Sequence, residues 1–326
     1  MKRFSVLVHA VTVSVLMAIA GQVSAQQAFP SKPIRLIAPY PPGGGTDLVA
    51  RLVGQKLGES LGQPVLVDNR PGGNTMIGSD VVAKAQPDGY TLELAASTHV
   101  LVPLFFKAPY DAIKDFAAVG TIAKSEYVLL VNPAVPANNL KELIAYAKSK
   151  PGQLNYATPA AGGTNHLVHE VLNLQAGMQI QHIPYKGSGP ALAALVAGDV
   201  QLHFSTTGPT VPFINSGRLR AIAVTGEKRL AALPNVPTFS EAGLPGVSKL
   251  GSFYGILATA GTPKPIIDKL SAELAKILAQ PDLQEKLLAQ GLVPFISTPE
   301  QFDALLKERM ADNADIIKKA DIKLEN

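Results

Sequence analysis

An α/β chain folded as two lobes is the fold class this sequence predicts, and three observations predict it. Short apolar runs alternate with amphipathic segments along the chain, the pattern of βαβ units on a parallel sheet. At 326 residues, 47% of them hydrophobic and 17% charged, the chain is long enough to fill two cores of ordinary size. No long linker divides it into halves, which points to lobes that exchange strands. The chain is then expected to cross between lobes near residue 125 and again near residue 225. Residues 26–124 with 225–326 would make one lobe and 125–224 the other, after a leader over 1–25.

The elements follow in order. Ile34 to Ala38 reads as a strand, then Leu48 to Leu61 as a helix, Val65 to Asp68 as a strand, Ile77 to Ala85 as a helix and Thr91 to Ala95 as a strand. Tyr127 to Val131, a helix near Leu140 to Ala147, Asn155 to Ala157, a helix from Asn165 to Ala176, Gln181 to Pro184 and Val200 to Phe204 continue the alternation. Asp47 is expected to cap the first helix, Thr262-Pro263 to open a later one, and Thr298-Pro299-Glu300-Gln301 to form a capping box. Ile266, Ile267, Leu270, Leu274, Ile277 and Leu278 recur at helical spacing and predict a core-facing stripe.

Lys2 and Arg3 precede an apolar stretch from Phe4 to Ala20, and Val23-Ser24-Ala25 supplies small residues for a signal peptidase. Cleavage after Ala25 and export to the periplasm are expected. An uncleaved anchor fits less well, because the stretch holds His9, Thr12 and Ser14 and is short for a bilayer span. The absence of Cys removes disulfides, thiolate metal sites and cysteine nucleophiles. Two of the positive charges behind the formal balance of +4 belong to the leader, so the mature excess is too small to predict a nucleic-acid partner.

Two segments carry the chemistry. Tyr40-Pro41-Pro42-Gly43-Gly44-Gly45-Thr46-Asp47 follows a predicted strand and opens a helix, where backbone N–H groups face an anion. Thr158-Pro159-Ala160-Ala161-Gly162-Gly163-Thr164-Asn165-His166 has the same setting. Two such loops, one in each lobe, can close on one anion. Ser97, Thr98 and His99, with Ser205, Thr206 and Thr207, lie at neighbouring strand ends and are expected to face the same cleft. The i, i+3, i+4 set His166, His169 and Glu170 shares a helix face, but it is not H-E-x-x-H and lacks further ligands, so no metal and no cofactor are expected. No G-x-S-x-G elbow occurs; an exported hydrolase using Ser97, Ser188 or Ser205 with a histidine is the alternative from the enzyme class.

Taken together, these motifs resemble the periplasmic solute-binding proteins of tripartite tricarboxylate transporters, the Bug proteins. The resemblance is carried by Tyr40 to Asp47 with Ala50-Arg51, by Asp68-Asn69-Arg70-Pro71-Gly72-Gly73, and by Gln86-Pro87-Asp88-Gly89-Tyr90-Thr91. Later come His166-Leu167, Pro184-Tyr185-Lys186-Gly187, Leu233 to Thr238 with Glu241-Ala242-Gly243, and Thr262-Pro263. It implies a type II periplasmic-binding-protein fold, two α/β lobes with crossing linkers and a ligand cleft between them. It also implies a small organic acid ligand, membrane permease subunits as partners, and no enzymatic activity; a monomer is expected. The site it implies is the two loops with Tyr185 added, holding a carboxylate by backbone N–H groups, hydroxyls and water. In the second loop the family pattern has Gly near 160 and a hydroxyl near 163; here stand Ala160 and Gly163, with the hydroxyl at Thr164. A sensor that presents its loaded form to a receptor is the alternative within binding.

Overall fold

The computed structural model describes residues 29–319 apart from 160 and 249, together with Ile322. The expected leader at 1–25 lies outside the described residues, as does Ala160. The chain forms β1 (Ile34–Ala38), β2 (Val65–Asn69), β3 (Thr91–Ala96) and β4 (Phe116–Ser125), then crosses over. There follow β5 (Val128–Val131), β6 (Leu154–Thr158), β7 (Ile180–Pro184), β8 (Leu202–Ser205) and β9 (Arg220–Val224), and the chain returns for β10 (Ser252–Thr259) and β11 (Leu292–Pro294). One sheet has the order β11-β4-β10-β3-β1-β2, the other β7-β6-β8-β5-β9.

Both sheets follow one plan. β1 pairs in parallel with β2 and β3, as β6 does with β7 and β8. In each sheet the strand arriving from the other lobe is inserted antiparallel: β10 between β3 and β4, β5 between β8 and β9. The loops after β1 and β6 therefore hold equivalent places, and so do those after β3 and β8. All four leave the carboxyl ends of parallel strands, where open α/β sheets bind ligands.

The apolar patterning explains the layers. Val128, Leu129, Leu130 and Val131 of β5 are all buried, because helices cover both faces of the sheet and no solvent-facing alternation is needed. On the Lys264–Leu278 helix, Ile267, Leu270, Leu274, Ile277 and Leu278 are buried in the first lobe's core with Ile266 packed against it, which is the stripe the spacing predicts. Each such side chain contributes about 1.5–3 kcal/mol on burial. The capping box also forms: the Thr298 N–H donates to Gln301 Oε1 at 2.9 Å and the Gln301 N–H to Thr298 Oγ1 at 3.2 Å.

Two helix starts differ from expectation. The Gly45–Leu61 helix has Gly44 as its N-cap, and Asp47 sits within its first turn. Extended backbone at Gly44 leads into the helix without a capping side chain, so the aspartate is free to serve the loop upstream. The Lys264–Leu278 helix has Pro263 as its N-cap, while the Thr262 hydroxyl donates back to the Thr259 carbonyl at 2.7 Å.

Glu126 and Tyr127 make the first crossing, and the return segment runs beside them. The Tyr127 N–H donates to Thr225 Oγ1 and the Thr225 N–H to the Tyr127 carbonyl, both at 2.8 Å. Thr225 Oγ1 in turn donates to Glu126 Oε2 at 2.8 Å. Apolar contacts also tie the lobes. Leu101, from the Thr98–Phe105 helix, is buried in the second lobe's core with Tyr127 and Phe204. The Pro299–Lys319 helix buries Phe302 and Leu306 in the first lobe and lays Ile316 and Ile317 on the second. None of the described helices is long and apolar enough to cross a membrane.

Candidate ligand-binding cleft

The two loops singled out from sequence have one backbone. Each helix begins at an extended glycine with no side-chain cap: Gly44 at φ −84°, ψ 169° and Gly163 at φ −82°, ψ 171°. The residue before it has positive φ, Gly43 at 82° and Gly162 at 73°, a region that side chains with a Cβ disfavour. That residue's N–H donates to the side chain four positions on: Gly43 to Asp47 Oδ2 at 2.9 Å, Gly162 to His166 Nδ1 at 3.1 Å. Opening turns without a side-chain cap, at the positive end of a helix dipole, are suited to an external anion.

What lies beneath the loops differs. Asp47 is 4% exposed and accepts also from Arg51 Nε at 3.0 Å and Asn69 Nδ2 at 2.9 Å. Burial works to raise its pKa, but Arg51, the Gly43 N–H and Asn69 together hold its carboxyl below the usual range. Asn69 Nδ2 also donates to the Tyr40 carbonyl at 3.1 Å, so β2 fixes the first loop from behind.

Beneath the second loop sit neutral rings. His166 stacks on His182 with centroids 3.9 Å apart, and Tyr156 stacks on His169 at 4.0 Å. Burial, then the neighbouring His182, push His166 down to about 3; burial pushes His182 and His203 down to about 4. Hydrogen bonds enforce the same state, since His166 Nδ1 and His169 Nε2 each accept from a backbone N–H, of Gly162 and Phe204. The Tyr156 hydroxyl donates to Glu170, whose pKa burial raises. One nitrogen of each ring, His166 Nδ1 and His169 Nε2, is thus engaged by the backbone.

Three tyrosines lie near the helix starts. The hydroxyl of Tyr40 is 2.6 Å from Thr98 Oγ1. The hydroxyls of Ser252 and Thr164 lie near Tyr127, and that of Thr46 near Tyr254. Burial raises the pKa of all three, keeping them protonated and neutral. Thr46 and Thr164, at the starts of the two helices, each therefore have a tyrosine nearby. Tyr127, Tyr254 and Ser252 escape sequence reading: a tyrosine in an apolar strand looks like core, and only the fold brings it near the threonines at the helix starts. Asn69 and Arg51 were legible as motif residues but not as supports.

The other expected residues divide. Thr98 hydrogen-bonds with Tyr40, and Thr46 and Thr164 lie near Tyr254 and Tyr127, while Pro42, Gly43 and Gly44 form the exposed tip of the first loop. Ala161 and Gly163 are half-buried in the second loop. Thr158 Oγ1 lies 2.6 Å from His182 Nε2, beneath the loop. Ser97 Oγ accepts from the Phe253 N–H at 2.9 Å and from Ser252 at 3.2 Å, joining β3 to β10. Tyr185 follows the second loop, its N–H donating to the Thr158 carbonyl at 2.8 Å, with its ring on the second lobe's core. Ser205 is buried at the end of β8 and Thr206 is half-buried beyond it; Thr207 and Gly208 pack on the backbone of Gln290 and Gly291 from the first lobe.

His99 stands apart from the expectation that it faces the cleft. It is 1% exposed, with Nδ1 3.0 Å from Glu93 Oε1 and Nε2 2.9 Å from the Ala112 carbonyl. Burial works against its protonation, but Glu93 and the carbonyl prevail and raise its pKa. The ring turns inward because a buried carboxylate needs a partner. With both nitrogens so placed, it is not positioned to serve Ser97 as a base.

The chain matches the family model described as the tripartite tricarboxylate transporter family receptor over residues 49–322. It is 36% identical to Protein BugT of Bordetella pertussis (strain Tohama I) over 310 residues, 94% of each chain. Among solved structures it is similar to the periplasmic binding protein BugD, at 34% identity and a TM-score of 0.83, covering 91% of this chain and all of that one. It is also similar to R. palustris Rpa4515 with adipate, at 33% identity and a TM-score of 0.85, covering 90% of this chain and 99% of that one. With its paired α/β sheets and crossing strands, the chain has the fold of periplasmic binding proteins of this type and belongs to the tripartite tricarboxylate transporter receptor family.

Proposed function

We propose that this receptor captures a small organic carboxylate in the periplasm, after removal of a leader ending at Ala25, and delivers it to the membrane subunits of a tripartite transporter without transforming it. The observation that carries the reading is the pair of uncapped helix starts, at Gly44 and Gly163, in equivalent places of the two lobes. Arg51, behind the first loop, is engaged with Asp47 and Asn69, and Lys186 beyond the second is exposed. The carboxylate is met by oriented N–H groups and hydroxyls, each helix terminus contributing about 0.3–2 kcal/mol. That Rpa4515 is similar over nearly its whole length and was solved with adipate supports the same ligand class.

Binding works by closure. A ligand favours the closed state only through contacts with both lobes, and the crossing pairs Tyr127 with Thr225 as the pivot. The test is a melting screen of the mature protein over mono-, di- and tricarboxylates, acidic amino acids and aromatic acids. A ligand at 100 times its Kd stabilises by about 2.7 kcal/mol. The matched acid raises the midpoint and is recovered unchanged; a panel in which no carboxylate raises it overturns the proposal. Intact-mass analysis of periplasmic material checks the start at Gln26.

A further inference from the structure

Beside the crossing, the two lobes touch backbone to backbone. Thr207 and Gly208 follow β8 in the second lobe, and Gln290 and Gly291 lead into β11 in the first. A Cβ on Gly208 would lie 2.7 Å from the Cα, C and O atoms of Gln290, and one on Gly291 would overlap Thr207 Oγ1 and stand 3.0 Å from the Gly208 nitrogen. The two glycines have different reasons to be glycine. Gly291 has φ 72° where the Pro281–Ala289 helix ends, its N–H donating to the Leu288 carbonyl at 2.9 Å, and such a helix end favours glycine by itself. Gly208 lies outside the left-handed region, and its own turn, closed by the Thr210 N–H on the Thr207 carbonyl at 3.0 Å, does not call for glycine. The three atoms nearest its missing Cβ all belong to the other lobe.

Strand directions say which motion this contact limits. β8 runs parallel to β6, so Gly208 lies at the end of the second sheet from which the loop after β6 leaves. β10 and β11 are both antiparallel to β4, and β10 is antiparallel to β3, so the start of β11 lies at the end of the first sheet from which the loop after β3 leaves. The contact therefore joins the cleft-facing ends of the two sheets, abreast of the crossing, where Leu292 pairs with Ser125 and Ser205 with Val128. Resting on closure as the binding motion, we infer that Gly208 against the Gln290 backbone is the stop that limits how far the lobes close. From this contact the lobes can move apart but not nearer, because a backbone cannot swing aside as a side chain can. Glycine at 208 permits the nearest approach, and any side chain there is a wedge. For alanine the lobes must part by about 1 Å at the contact, since carbon atoms rest about 3.5–4.0 Å apart.

Lobe separation in the mature protein, without added ligand, tests this. The chain has no Cys, so spin labels on Leu66→Cys in the first lobe and Leu174→Cys in the second, both exposed positions, report one distance. Gly208→Ala should lengthen the shortest populated separation and Gly208→Val should lengthen it further. Gly189→Val, where a Cβ meets nothing within 4 Å, should leave it unchanged. The melting midpoint of Gly208→Ala should stay within about 2 °C of its parent, because the lobes part rather than unfold. A shortest separation that is the same in the parent and both Gly208 variants overturns the inference. So does a midpoint lowered by about 5 °C or more in Gly208→Ala with the separation unchanged, which would make the contact a fixed part of the fold. If the valine variant does not fold, the alanine variant decides by the same two readings. Neither result bears on which acid the cleft takes, which the melting screen decides separately.

Discussion

The loop after β1 and the loop after β6 have nearly superposable backbones on different foundations. Under the first, Asp47 is a charged acceptor satisfied by three donors. Under the second, the same place four residues on is taken by His166, an uncharged acceptor in a stack with His182. The backbone requirement is one acceptor for the N–H of the positive-φ glycine, and carboxylate and imidazole both meet it. The difference is electrostatic. The first loop brings a negative charge that must be offset by Arg51, whereas the second brings none but keeps its shape only while its rings stay unprotonated.

Acidification separates the two most strongly. His166, His182 and His203 titrate at about 3, about 4 and about 4 in the folded chain against an ordinary 6.5, and His169 is also lowered. Their folded pKa values are depressed, so their neutral state supports folding fully above 6.5, and that support is lost as pH falls toward 4. The loss is about 1.4 kcal/mol per pH unit for each histidine that only the unfolded chain protonates. Asp47, lowered from 3.8, contributes its stability above that value and does not change between pH 7 and 5. Urea unfolding at the two pH values should show a loss of several kcal/mol at pH 5; an unchanged midpoint would mean that the rings are not held neutral.

Removing the first foundation comes next in size. Asp47→Ala leaves the Gly43 N–H and Arg51 Nε without their acceptor and should cost about 2 kcal/mol, read by the same unfolding experiment. A cost under about 0.5 kcal/mol, the range of ordinary surface changes, would show that the loop does not depend on it.

The exposed face of the first loop is tested by Gly44→Val. At φ −84° the position accepts a side chain, and a Cβ there meets nothing closer than the Pro41 carbonyl at 3.9 Å. Folding should be nearly unaffected while a bulky side chain occupies the approach to the helix start, weakening the matched acid at least about tenfold, or about 1.4 kcal/mol. Wild-type affinity in this variant would put the ligand elsewhere. Gly43→Ala is expected to behave oppositely, costing about 1 kcal/mol of stability through its φ of 82°. The smallest effect is expected of Lys186→Ala, because the side chain is exposed; calorimetry should give a Kd within about twofold of wild type. Loss of binding there would replace the backbone account by a charged site.

Local patterns in the chain set the alternation of strands and helices, the core stripe of the Lys264–Leu278 helix, the capping box at Thr298 and the two glycine loops. Each is set by residues a few positions apart, through periodicity, caps or backbone freedom. Tertiary structure decided the rest. That Asp47 serves Gly43 rather than capping the helix depends on Arg51 and Asn69 closing around it, and Asn69 comes from another strand. That His99 turns inward depends on Glu93 being buried beside it. Tyr127 and Thr225, whose hydrogen bonds tie the two crossings, are brought together only because the chain crosses between lobes and returns. No local pattern encodes such a meeting, since it is fixed by which strands pair and by where a buried polar atom finds its partner.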